Sequence, residues 1–209
     1  MTIPAPDLSD SERYEPLAGP VASGQSHSKV LVRQVDLSGS RAADLRFEEA
    51  IFAAVLLRGT QWRGLNLVDA RLQGCDLSNA DWQQASFHRV EIAACNLTGI
   101  NLSQAQIAGA RFERSKMLLA QFSQAKFSAA EFHDCNLAQA DFSGADLRQV
   151  VLARCNLCQA RFFGAKLQGA DLRGSDLSEL GVTPLDLRGA IVDAAQVIQF
   201  APLLGLVVR

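Results

Sequence analysis

A five-residue phrase constrains this chain more than any other feature. From Leu37 to Val192 an apolar, mostly large residue recurs at every fifth position without a slip, filling 32 slots. Fifteen slots hold Leu, nine hold Phe, and both tryptophans, Trp62 and Trp82, fall among them. Two residues before the slot stands Ala, Cys, Ser or Thr in 23 cases, and otherwise Val, Leu or Ile. Eleven of the fifteen glycines stand two residues after a slot. Three residue classes keeping one register define an internal repeat.

A period of five suits neither a helix, which wants apolar residues three and four apart, nor a long strand, which wants them two apart. Two apolar positions separated by one polar residue fit a very short extended segment. It points both apolar side chains one way and the residue between them the other. A glycine two places on suits a corner with positive φ. Repetition then makes a coil of straight pieces and sharp corners, apolar inside. One piece cannot bury its apolar pair alone, but stacked coils can.

Ala140-Asp141-Phe142-Ser143-Gly144 and Ala170-Asp171-Leu172-Arg173-Gly174 match the phrase A(D/N)LXX. On these residues the chain resembles the pentapeptide-repeat proteins, over residues 35–194. The resemblance implies an all-β solenoid, a right-handed quadrilateral β-helix with four pentapeptides per coil. Slots 20 apart should then share a face. One such column reads Leu37, Leu57, Leu77, Leu97, Met117, Leu137, Leu157, Leu177, and the next runs from Ala42 through Trp62, Trp82 and Leu102 to Phe122, Phe142, Phe162 and Val182. An aliphatic column beside a largely aromatic one supports the 20-residue turn. The expectation is about eight coils, a rod about 38 Å long.

The same reading divides the chain into a lead (1–34), the repeat body (35–192) and a C-terminal segment (193–209). The Pro-, Gly- and Ser-rich lead either covers the first coil or trails as a tail; Val30-Leu31-Val32 is apolar enough to pack. Gly181-Val182-Thr183-Pro184-Leu185 departs from the phrase, and Leu180 and Leu185 overfill the small slot, so the last coil should be distorted. Asp193-Ala194-Ala195-Gln196 reads as a capping box opening an α-helical cap to about Ala201, where Pro202 ends it. A short strand at Leu206-Val207-Val208 follows. Val197, Phe200, Ala201 and Leu204 share the face expected to cap the last coil. The apolar surplus predicts a homodimer through Ile198, Phe200, Leu203, Leu204, Leu206, Val207 and Val208, which the resemblance to gyrase-targeting members also implies.

The sequence assigns no catalytic residue, metal ligand or cofactor. Cys75, Cys95, Cys135 and Cys155 fall in one small-residue column and read as inward filler, whereas Cys158 faces out, so Cys155-x-x-Cys158 is not a ligand pair. No nucleophile elbow, phosphate loop or cleft is in view, which argues against an enzyme. Neither a secretory signal nor a membrane-spanning run is present, which points to the cytoplasm. A net charge of −2 speaks against direct nucleic-acid binding.

What remains is surface. The resemblance to the loop-free, quinolone-resistance-type members implies a rod that mimics duplex DNA, engages gyrase or topoisomerase IV, and shields it from inhibitors. Outward charge tests this: the Leu37 column nets −2 and the other three lie between −1 and +1. The Leu37 face is the best candidate, through Asp76, Asn96, Asn136, Asn156, Asp176 and Glu179, with Leu118-Leu119 as an apolar patch. The alternative is a scaffold or spacer with an unrelated protein partner.

Overall fold

Short extended segments have no partner for their amides and carbonyls except the next coil. In the computed structural model, which describes residues 14–17, 19–204 and 207, that is where they go. The result is a right-handed, four-sided parallel β-solenoid with one short C-terminal helix. From residue 26 onward the strand pairing keeps a 20-residue offset, whereas Glu15 and Pro16 pair 15 residues on, with Val30 and Leu31. The ladder through Asp36, Leu56, Asp76, Asn96, Lys116, Asn136, Asn156 and Asp176 is parallel at every step.

The ladder begins ahead of the repeat as read from the sequence. Strand β1 (Glu15–Pro16) pairs with β2 (Ser26–Arg33), which pairs with β4 (Arg46–Ala53) in the 20-residue register; β3 (Arg41–Ala43) lies between them in sequence. Val30 and Val32 are buried, and the His27 ring stacks on Phe47 at 5.0 Å. Residues 26–33 therefore continue the ladder on top of residues 46–53. A histidine in an aromatic slot hid this rung from a search for apolar residues.

The residue two after the slot is left-handed at every corner from Gly39 to Gly189 except Pro184. On the Leu37 column the amide after that corner donates back to the slot carbonyl, as Ala140 N does to Leu137 O at 3.0 Å, forming a type II turn. The proline ring holds φ near −65° and cannot enter this region. The wall therefore breaks at Pro184, and Leu185 turns outward, 63% exposed, instead of overfilling the core. Between Phe47 and Leu177 a large apolar side chain is buried in every slot. That stretch makes about six regular turns, fewer than the eight expected, because the ends are irregular.

The interior is a set of vertical stacks. Trp62 and Trp82 lie 5.7 Å apart and nearly parallel; Phe122, Phe142 and Phe162 follow in the same column at 5.0 Å steps. Each indole N–H needs a buried acceptor. Trp82 Nε1 donates to Thr60 Oγ1 at 2.9 Å and Trp62 Nε1 to Ser40 Oγ at 3.1 Å. This explains why those two small slots hold hydroxyls.

The cysteine column does more than fill space. Its corners from Val55 to Cys155 carry no back-bond like that of Ala140, and at Cys75, Cys95 and Cys155 a side chain of the next coil substitutes for it. Cys75 N donates to Cys95 Sγ at 3.3 Å, Cys95 N to Ser115 Oγ at 3.2 Å and Cys155 N to Ser175 Oγ at 2.8 Å. In return, Cys75 Sγ donates to Phe52 O and Ser175 Oγ to Leu152 O. The hydrogen bonds with Cys75 and Cys135, together with burial, push the Cys95 and Cys155 thiols up, so both stay protonated. Cys158 faces out, as expected.

The capping box is present: Asp193 accepts from Gln196 N, and the Gln196 side chain accepts from Asp193 N. Helix α1 spans Ala194–Gln199 and gives way at Phe200 to a 3₁₀ turn, Ala201–Leu204, two residues earlier than expected. Pro202 disfavours α geometry in the residue before it. The face turned to the coil also differs from the expected one. Gln196 and Ala201 are buried and Phe200 packs on the core, while Val197 is 56% exposed. Gln196 Nε2 donates to Leu172 O at 2.8 Å and Ser175 O at 2.7 Å, ending the ladder that the cysteines begin. Gln196→Ala leaves the Ser175 carbonyl buried and unpaired, while Leu172 O keeps the Ser175 amide at 3.2 Å, at about 1–3 kcal/mol for an unsatisfied group. The expected result is an earlier loss of amide-exchange protection in residues 170–200 than in the mid-rod. Uniform protection in the variant would refute the capping role.

Candidate binding surface

The outward residues form rows along the rod, one residue per coil. On the Leu37 face, Asp76, Asn96, Asn136, Asn156 and Asp176 stand in one row with Lys116 among them. The structure thus brings these sequence-expected residues together. It also gives them a local duty. Asp36, Asp76, Asn96, Asn136, Asn156 and Asp176 each accept a hydrogen bond from the amide two residues on, at 2.9–3.2 Å. These side chains hold the corner, which is why Asp and Asn recur here.

Their charges are partly spent. Asp76 also accepts from Arg58 Nε at 2.7 Å and from Asn96 Nδ2 at 3.1 Å. Partial burial pushes its carboxyl up, but the bonds from Ser78 and Arg58 outweigh this and hold it low. Asp176 is held low by Ser178. Glu179 accepts from Gln159, which in turn accepts from Gln139, each at 2.8 Å. This corner row is an amide ladder ending in one carboxylate.

The adjoining Phe52 face is a lattice of opposite charges 20 residues apart. Arg71 meets Glu91 at 2.8 Å, Arg111 meets Glu131 at 3.1 Å and Arg154 meets Asp134 at 2.8 Å. Such surface pairs add little stability singly. Their consequence is electrostatic: carboxylates compensated within the rod are poor stand-ins for phosphates. The signal was present in the sequence as opposite charges at a spacing of 20.

Leu118 is half-buried and Leu119 is 50% exposed at a left-handed corner. The end of the rod is apolar: Ile191, Val197, Ile198, Leu203 and Val207 are exposed. Of the expected dimer contacts, Ile198, Leu203 and Val207 face outward, whereas Phe200 packs inward. The Leu204 side chain, Leu206 and Val208 lie outside the described residues, as does most of the expected strand. Among the described residues, no three His, Cys, Asp or Glu side chains converge, and no helix is long and apolar enough to cross a membrane.

No curated protein sequence matches this chain. Among solved structures, a trypsin-treated variant of QnrB1, described as a plasmid-mediated fluoroquinolone resistance protein, aligns at 19% identity and a TM-score of 0.47, covering 88% of this chain and 100% of the other. Full-length QnrB1 aligns at 22% identity and a TM-score of 0.40, covering 87% and 100%. HetL, a pentapeptide repeat protein involved in heterocyst differentiation regulation in the cyanobacterium Nostoc sp., aligns at 22% identity and a TM-score of 0.24, covering 81% and 90%. The family described as pentapeptide repeat region matches residues 66–142, 85–162 and 115–191. The matches together span more than half the chain, and the chain belongs to the pentapeptide repeat family.

Proposed function

We propose that this chain is a non-catalytic binding rod that engages a bacterial type II topoisomerase, gyrase or topoisomerase IV, and protects it from inhibitors. The observation that carries the reading is the unbroken run of outward rows at fixed 20-residue steps, a rigid platform that can meet a long protein groove at many points. The target comes from the resemblance to gyrase-targeting members of the family. The apolar C-terminal end suits a twofold pairing that would double the rod. Changing Ile198 to Asp would place a charge in that contact. A dimer in sedimentation that becomes monomeric in Ile198→Asp supports the pairing; a monomer at all concentrations removes it.

A scaffold for an unrelated protein is the second reading, favoured by the ion pairs on the Phe52 face. Gyrase supercoiling, titrated with the rod in the presence and absence of a gyrase poison, separates the two. Restored supercoiling or fewer trapped cleavage complexes supports protection. No change at large molar excess rejects gyrase and favours the scaffold.

A further inference from the structure

One rung of the Leu37 face departs from its neighbours at all three outward positions. Lys116 replaces the Asp or Asn that holds the corner in the coils on either side, and the turn hydrogen bond made by Asn96 and Asn136 has no counterpart here. Leu118 stands where Ser78, Thr98, Ala138, Cys158 and Ser178 stand in other coils. Among the described residues, Leu119 is the only large apolar side chain at a left-handed, non-glycine corner; the rest are polar, charged or Ala. A bulky side chain is disfavoured in this region, and at 50% exposure Leu119 recovers little of that cost by burial. Gly99, one coil above in the same row, has no side chain to lay against the leucine.

Local rules broken together without a gain to the fold mark a functional place. We infer that Leu119, together with its neighbours Leu118 and Lys116 on the same rung, is the specificity-determining knob of the rod, and that it enters an apolar pocket rimmed by carboxylates on a protein partner. Lys116 is exposed and makes no ion pair among the described residues, whereas Arg58, two residues past the same row, is paired with Asp76. The free cation calls for an acidic rim; the exposed leucine calls for an apolar socket. This deepens the binding-rod reading and rests on it. It also alters the mechanism: the centre of the most acidic face presents a cation and an apolar knob, which no phosphate backbone resembles.

The test uses residues that the chain itself tolerates at these places. Leu119→Gln installs the corner residue of Gln139 and Gln159, and Lys116→Asn that of Asn96 and Asn136, so both variants should melt no lower than the parent. A phage-displayed peptide library is panned on the full-length rod. The expected result is enriched peptides that combine apolar residues with Asp or Glu and bind each variant at least about tenfold more weakly. Peptides that bind parent and variants equally, or no enrichment on the parent, overturn the knob. The same variants enter the gyrase titration. If the parent protects gyrase and Leu119→Gln protects equally, the knob is wrong and the topoisomerase reading stands. If the parent leaves gyrase untouched, that reading fails and the peptide result alone decides the knob.

Discussion

Phe142→Ala is expected to destabilise the rod by about 3–5 kcal/mol, the range for truncating a large buried aromatic. Phe142 is fully buried, stacked between Phe122 and Phe162 at 5.0 Å on each side, with Phe132 edge-on at 6.5 Å. The void cannot close by collapse, because the coils on either side are fixed at ladder distance. Phe122 N donates to Asp141 O at 2.7 Å and Phe142 N to Arg161 O at 2.8 Å. Phe142→Leu, which fills the slot as fifteen leucines do elsewhere, should cost far less. Denaturant unfolding followed by far-UV circular dichroism measures both. Both tryptophans lie in the N-terminal half, so their fluorescence reports that half alone. If fluorescence and dichroism shift together, the coils unfold as one unit; if only the dichroism shifts, the halves uncouple, as nearest-neighbour repeats permit. A loss below about 1 kcal/mol would mean that the stack is not tightly packed.

Gln139→Pro is the second large effect, expected to exceed about 3 kcal/mol. The corner at Gln139 has φ 58°, and its amide donates to Cys158 O at 2.9 Å. Proline can supply neither the angle nor the proton. The chain already shows the consequence at Pro184. There the corner is lost, Leu185 faces solvent, and Gly164 N takes a side-chain acceptor, Asp186 Oδ1 at 3.2 Å. At the equivalent place in the coil above, Gly144 N donates to the backbone carbonyl Phe163 O. In mid-rod no such stand-in is available. Gln139→Gly, which allows the angle and keeps the amide, should stay within about 1 kcal/mol of the parent. If Gln139→Pro melts with the parent, the claim that left-handed corners hold the wall is wrong.

Acid should loosen the surface rather than the core. Arg154 holds the Asp134 carboxyl low, Arg148 that of Asp146 and Arg173 that of Asp171. A carboxyl depressed in the folded state contributes stability above its unfolded pKa and loses it as pH falls through the depressed value. The buried columns contain no carboxylate, so the interior has no reason to titrate there.

The 20-residue turn came from the resemblance to the pentapeptide-repeat proteins, supported by the aliphatic and aromatic columns. The repeat alone determined which side chains face in and where the corners fall, which follows from local geometry: two apolar positions flanking one polar residue in each period of five point inward together. The capping box at Asp193 was legible for the same reason, since Asp and Gln three residues apart satisfy two amides without help from elsewhere. The irregular places were not legible. His27 joined an aromatic stack because Phe47 lay beneath it. Gln196 turned inward, and Val197 outward, because Ser175 O needed a donor and no apolar side chain could supply one. The cysteine column became a hydrogen-bond ladder only because its corners leave backbone groups unpaired. Periodicity records where a side chain points. Which polar group it must satisfy on arrival depends on chain 20 or more residues away, and only the stacked coils decide that.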